Sequence, residues 1–386
     1  MASHKLCMIP GPIELHPAVA AAASQPAMSH IDPQFVNTFG ETLEMLRDIH
    51  LTKTAQPFLL SGSGTLGWDS VAANLLQPQD PVLVLNTGLF GDRFGECLET
   101  YGATVTHLRS PIGGRPSLEE VREALTQAKN NGTAYKLVTI THVDTSTGVL
   151  SDVKGLTQVI KSISPSTLVA VDGVCSVAAE EIRMDEWDVD VVLTASQKAL
   201  GAPPGLSIVL VREAAMNAFS SRTTPVPNYY ASWKRWLPIM KAYEERKPAY
   251  FGTPAVPLVT ALHASLTQIL DLGMEKVFEK HTEVSDRIKD TLGTWGLGLV
   301  PKDLLGAAHG MTAVWYPEGV VPATLLSEMG KQGVVLAGGL HPEVKDKYFR
   351  IGHMGVSVLE PERGHITKTL KALDTALTEA GYQHSS

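Results

Sequence analysis

Lys198 stands in a turn of small residues, Ser196-Gln197-Lys198-Ala199, directly after the apolar run Val191-Val192-Leu193-Thr194. A lysine withdrawn from water has a lowered pKa and forms an imine with a carbonyl readily. One strand–helix–strand step earlier, Asp172 ends a second apolar run, Leu168-Val169-Ala170-Val171. A carboxylate there can hydrogen-bond a protonated ring nitrogen and keep the ring cationic. Ser61-Gly62-Ser63-Gly64-Thr65 follows Phe58-Leu59-Leu60 and opens a helical stretch, Leu66–Leu76, so that free amides and the helix dipole favour a phosphate. Arg350, inside the short apolar run Tyr348–Ile351, has the planar fork that captures a carboxylate with two bonds.

Taken singly, each feature has a plainer reading. Most lysines are surface residues, the Gly/Ser loop can be a tight turn with a capping serine, Asp172 a helix cap, and Arg350 half of a structural salt bridge. Together, a phosphate cradle, a pyridinium partner and an imine lysine are the three contacts that pyridoxal 5'-phosphate (PLP) asks of a protein.

The elements that must position these residues read as an α/β succession. From about 58 to 211 short apolar runs alternate with helical patterns, predicting a mainly parallel sheet with strands at Val82–Asn86, Thr104–Leu108, Leu137–His142, Leu168–Asp172, Val189–Thr194 and Ser207–Val211. Helices are expected at Ser117–Lys129 and at Leu258–Leu272, the latter ending at Gly273, with Pro- and Ser-containing loops around 220–240. Beyond about 275 the pattern becomes a smaller α+β domain with strands near Met311–Tyr316, Val334–Ala337 and Tyr348–Ile351 and a closing helix after Pro361. The expected division is an N-terminal arm (1–20) rich in Pro and Gly, a large PLP-binding domain (21–270) and a small C-terminal domain (271–386).

Composition narrows the function classes. With 44% hydrophobic and 19% charged residues the chain can bury a full core, and a net charge of −8 without a basic block argues against nucleic acid and anionic membrane as partners. Cys7, Cys97 and Cys175 fit neither a zinc motif nor a disulfide framework, so no metal is expected and a reducing compartment is. Met1–Pro10 lacks a signal-peptide core, and His384-Ser385-Ser386 is not a Ser-Lys-Leu type address. The cytoplasm is the expected location, with peroxisome and mitochondrion as alternatives.

These segments resemble the class V branch of fold-type-I PLP-dependent enzymes, with alanine–glyoxylate and serine–pyruvate aminotransferases nearest. Pro10-Gly11-Pro12 resembles the family's opening Gly-Pro-Gly-Pro, and Ser61–Thr65 its Ser-Gly-Ser-Gly phosphate loop. Gly88-Leu89-Phe90-Gly91-Asp92-Arg93 is similar to Gly-x-Trp-Gly-x-Arg, with Phe90 where tryptophan is commoner: stacking is kept and an indole N–H lost. Thr141–Gly148 resembles His-Gly-Glu-Ser-Ser-Thr-Gly, with Thr145 in place of a serine, and Ser196–Ala199 followed by Ala202-Pro203-Pro204-Gly205 matches the Schiff-base segment.

The resemblance implies a homodimer with shared sites, in which Tyr250 and Thr253 reach the neighbouring subunit's cofactor phosphate. It implies cofactor contacts at Ser63, Gly64, Thr65, Phe90, Thr145, Asp172, Gln197 and Lys198, and substrate contacts at Arg350 and Gly11, with Lys198 and Asp172 catalytic. The implied reaction moves the amino group of a small amino acid, L-alanine first, to glyoxylate, giving pyruvate and glycine. Serine–pyruvate, serine–glyoxylate or 2-aminoethylphosphonate transamination are the alternatives on the same fold. Cysteine desulfuration needs a mobile thiol, for which Cys175 is the nearest candidate, and a catalytically silent scaffold would have no use for Lys198, Asp172 and Arg350 together.

Overall fold

Seven apolar runs hydrogen-bond into one sheet in the computed structural model, which describes residues 4–383; the terminal His-Ser-Ser lies outside the described residues. The strands are β1 (Gln56–Ser61), β2 (Pro81–Asn86), β3 (Thr104–Arg109), β4 (Leu137–Thr141), β5 (Leu168–Asp172), β6 (Val191–Ala195) and β7 (Leu206–Val211). Their spatial order is β1-β7-β6-β5-β4-β2-β3. β4, β5 and β6 are buried along their whole length, as strands covered on both faces must be, which is why they read as unbroken apolar runs.

The sheet is parallel from β3 to β6, whereas β7 runs antiparallel to both β6 and β1. The physical reason lies in the connection: Ser196–Gly205 contains no helix, and a link that short permits a return strand but no crossover. β5 and β6 are hydrogen-bonded neighbours with Asp172 opposite Leu193, so Asp172 and the Ser196–Lys198 turn emerge at the same sheet edge.

Local chemistry places the helices. Ser117 and Glu120 form a reciprocal capping box that starts the helix Leu118–Asn130, one residue from the expected boundary. The helix Val256–Leu272 ends at Gly273, whose φ of +81° suits glycine. The segment expected as loops around 220–240 is corrected in its second half to a helix, Trp233–Glu244, with Pro238 inside it. Trp233, Trp236, Met240 and Tyr243 fall on one helical face and are buried, and Trp233 stacks on Phe58 at 5.4 Å. That apolar stripe outweighs the proline.

A second, smaller apolar cluster joins Leu6 and Met8 to Leu292, Phe349, Ile351, Leu373 and Leu377. It backs a three-stranded antiparallel sheet of Met311–Trp315, Tyr348–Gly352 and Ala337–Gly338. The single strand expected at Val334–Ala337 is two: Val334–Val335 pairs in parallel with Leu6–Cys7, and only Ala337–Gly338 pairs with Tyr348–Gly352. The Pro/Gly-rich opening therefore begins with a short strand, and Gly352 N–H continues the tie by donating to Met8 O at 2.8 Å.

Candidate active site

β5 ends on Asp172, and its carboxylate is 3% exposed. Oδ1 accepts the N–H of Val174 at 3.0 Å and Oδ2 the indole N–H of Trp68 at 2.8 Å. Burial pushes the Asp172 pKa up to about 6, while the Val174 and Trp68 donors and the Lys198 charge pull it down. Lys198 follows β6 and is 9% exposed, its amine donating to the carbonyl of Pro10. Burial lowers its pKa first of all; Arg350 lowers it further and Asp172 opposes the shift.

Both groups line one cavity of about 200 Å³, together with Gly11, Ser63, Gly64, Thr65, Trp68, Phe90, Thr145, Cys175 and Gln197. A roomier hollow of about 390 Å³ lies against Glu14, His16 and Gln268, but its lining contains no lysine or arginine. Chemistry, not volume, singles out the smaller one.

Ser63 caps the helix Gly64–Leu75 without a side-chain capping bond, so its hydroxyl stays available along with the first-turn amides, which a helix cannot satisfy internally. Phe90 sits in the first turn of the helix Leu89–Thr100, its N–H held at 3.1 Å by the fully buried Asp144. Asp144 also accepts the N–H and hydroxyl of Ser146, anchoring the segment that carries Thr145. Gly11 has φ +98°, and a Cβ there would lie 2.4 Å from Lys198 Cδ, so the arm can approach the lysine only as glycine. Gln197 Oε1 is buried without a partner.

Arg350 donates from Nε to Gly338 O at 2.8 Å and from Nη1 to Thr145 O at 3.0 Å. No carboxylate among the described residues pairs with it, and burial lowers its pKa. The salt-bridge reading is thereby removed: a desolvated guanidinium beside the cavity is held by carbonyls alone and leaves donors for an incoming anion.

Tyr250 and Thr253 are not at this cavity. Their hydroxyls are 3.4 Å apart on the surface, and Tyr250 is 63% exposed beside Tyr229 and Phe251. Cys175 is 2% exposed with its sulfur 3.8 Å from Met311 Sδ, and burial raises its pKa, which does not suit a mobile nucleophile. His142, His309 and His353 line no part of the cavity.

Sequence reasoning missed Trp68 and Asp144. Trp68 lies one helical turn after Gly64, the spacing that faces both residues the same way, and this was the available signal. Asp144 lay inside a quoted motif, between Val143 and Thr145, without a charge partner to mark it.

The residues present fit PLP. The lining offers an amine, a carboxylate with spare lone pairs, a helix start with no side-chain capping bond for a phosphate, an aromatic wall, and a buried amide oxygen without a partner.

Residues 17–352 match the family model for aminotransferase class-V. The chain is 43% identical over 384 residues to alanine–glyoxylate aminotransferase 1 of Saccharomyces cerevisiae, covering 96% of this chain and 97% of that protein. It is 32% identical to L-aspartate–glyoxylate aminotransferase of Paracoccus denitrificans, covering 92% and 87%. Among solved structures, ureidoglycine–glyoxylate aminotransferase from Bacillus subtilis superposes with a TM-score of 0.90 at 25% identity, covering 100% of this chain and 96% of that one. Alanine–glyoxylate aminotransferase from Nostoc sp. gives 0.88 at 28% identity, covering 98% and 96%. The strand-end amine and carboxylate, the matched family model and the shared fold agree: the chain belongs to the class-V aminotransferases, PLP-dependent enzymes of fold type I.

Proposed function

We propose that this aminotransferase moves the amino group of L-alanine to glyoxylate, giving pyruvate and glycine. The observation that carries the reading is the convergence of Lys198 and Asp172 from neighbouring strand tips on one cavity, beside the Arg350 guanidinium, which has no carboxylate partner among the described residues. Glyoxylate occurs in the names of both relatives and both structures cited above, and alanine in the Saccharomyces and Nostoc proteins. Lys198 is the only cation lining the cavity among the described residues, which favours a donor with an uncharged side chain. Serine is the second reading, favoured by the unpartnered Gln197 Oε1, an acceptor for its hydroxyl.

When bound, PLP would supply an aldehyde whose oxygen is exchanged for the donor's amino nitrogen and a cationic ring that draws electrons from the carbon losing its proton. Arg350 clamps the donor carboxylate with its free guanidinium edge. Lys198, its basicity lowered by burial, would act as the general base that takes the donor's α-proton. Asp172, ionised above about pH 6, would pair with the ring nitrogen. Ser63, Gly64 and Thr65 would hold the phosphate, and Phe90, Thr145, Gln197 and Gly11 would supply the walls. The pyruvate leaves before glyoxylate enters, so the kinetics are ping-pong.

The exposed Tyr250 and Thr253 support a homodimer in which each chain completes the other's phosphate site. The second buried cluster favours a separate small domain in the division into an arm (1–20), a large domain (21–270) and a small domain (271–386), although the first cluster crosses that boundary at Met274, Met311 and Tyr348. The three free cysteines suit the cytoplasm, and no helix among the described residues is long and apolar enough to cross a membrane.

A donor panel of alanine, serine, aspartate and 2-aminoethylphosphonate with glyoxylate and pyruvate as acceptors tests the assignment. The highest kcat/KM is expected for alanine with glyoxylate, and a higher value for any other pair overturns it. A Lys198→Ala protein that still turned over normally would overturn the role of the lysine.

A further inference from the structure

Both oxygens of Asp172 are engaged before any ligand arrives. The Val174 N–H comes from the same turn, two residues on, and is supplied by the backbone whatever the side chains. The other donor is brought from a different element, because Trp68 projects from the helix Gly64–Leu75 and places its Nε1–H 2.8 Å from Oδ2. Trp68 is 5% exposed, stacked on Phe94 at 5.6 Å and 15°, and tilted against Phe90 at 6.3 Å and 58°. Packing against two rings fixes the indole plane, and with it the direction of the N–H. Phe90 has no donor of its own, so Trp68 carries the one indole N–H of the cavity's aromatic wall.

We propose that Trp68 is a positioning residue of this aminotransferase: its indole N–H orients the Asp172 carboxylate and holds it ionised in a dry pocket, so that the cofactor's ring nitrogen meets an anion. The proposal rests on the reading that Asp172 faces that nitrogen. An ionised carboxylate offers about four acceptor directions, so the two bonds present leave room for a third donor. Burial acts against the ionised form, and a hydrogen bond to the charged acceptor counters it where no water can. Without the indole donor the carboxylate takes up a proton at higher pH and becomes a donor itself, which a protonated ring nitrogen cannot accept.

Trp68→Phe keeps an aromatic ring against Phe94 and removes the N–H together with part of the indole bicycle. PLP affinity of the full-length apo protein, followed by absorbance between pH 5 and 9, is the readout. The acid limb of Trp68→Phe is expected to move up by about one unit, with PLP affinity at neutral pH about tenfold weaker and kcat reduced at nearly constant KM for the amino donor. Phe94→Leu loosens the packing that aims the N–H while retaining the donor, and should move the limb in the same direction as Trp68→Phe but by less. Incorporation of 5-fluorotryptophan, a stronger N–H donor, should move the limb of the otherwise unaltered protein down, a result independent of whether Trp68→Phe folds.

An acid limb of Trp68→Phe that coincides with the wild type, or an unmoved limb in the fluorinated protein, overturns the proposal. Asp172→Asn separates the two levels. If it abolishes the limb while Trp68→Phe leaves it in place, only the role of Trp68 fails; if it binds PLP with the wild-type limb and affinity, the assignment of Asp172 fails as well.

Discussion

Glu180 accepts both the backbone N–H and the ring Nδ1–H of His309, at 2.5 and 2.7 Å, joining the turn after β5 to the segment before Met311–Trp315. The carboxylate is 4% exposed. The His309 bonds hold the Glu180 pKa down to about 2 against the opposing effect of burial. The His309 pKa is raised, burial working against the change and the Glu180 hydrogen bond and charge producing it. The pair's contribution to stability is thus complete above the ordinary glutamate value and below the ordinary histidine value, and is lost as pH rises through the raised His309 pKa. Removing the cation strands a buried carboxylate, so His309→Ala should cost about 2–4 kcal/mol in urea unfolding at pH 6, and less at pH 9.

Acid acts on a different set of groups. His50, His142 and His281 are buried with pKa values lowered to about 4, and His353 to about 3, burial being the main cause in each. The unfolded chain binds protons at these four positions from about pH 6.5 downward while the folded chain does not, so stability falls as pH falls through that range. Urea midpoints at pH 7, 6 and 5 should drop steeply, reporting a loss of unfolding free energy on the order of 2 kcal/mol per histidine by pH 5. A flat profile would show that these rings take up protons in the folded chain as readily as in the unfolded one.

Arg350→Lys keeps a charge and loses the fork. The lysine has no second donor in the carboxylate plane, so kcat/KM for alanine should fall about 30- to 100-fold, mostly through KM. Binding of PLP to the apo protein should be nearly unchanged, because Arg350 meets Thr145 and Gly338 and does not line the cavity.

Gly11→Ala tests the close approach of the arm. The added methyl would overlap Lys198 Cδ, at a φ of +98° that an alanine resists. Displacing the lysine by about an ångström should lower kcat by about a hundredfold, with the fold intact by circular dichroism.

Much of this site could be read from the sequence because strands buried on both faces announce their ends. The apolar runs stop at Asp172 and just before the Ser196–Lys198 turn, and the residues that follow are where ligands collect in such sheets. Trp68 was hidden because a tryptophan inside an apolar helical pattern looks like core, and it is core on every side but its N–H. The reversal of β7 depended on a connection too short for a crossover, a property of loop length rather than of any residue. Tyr250 and Thr253 show the opposite limit: the motif is plain, yet the chain alone leaves both on the surface.

The pairing of Leu6–Cys7 with Val334–Val335, and the carbonyl of Pro10 against the Lys198 amine, tie one short segment to two distant parts of the chain. All seven strands of the central sheet precede residue 212, so a polypeptide cut between that sheet and Val334 keeps every one of them. What it loses is the strand that anchors the segment leaning on the lysine, so damage far along the chain is felt at the amine.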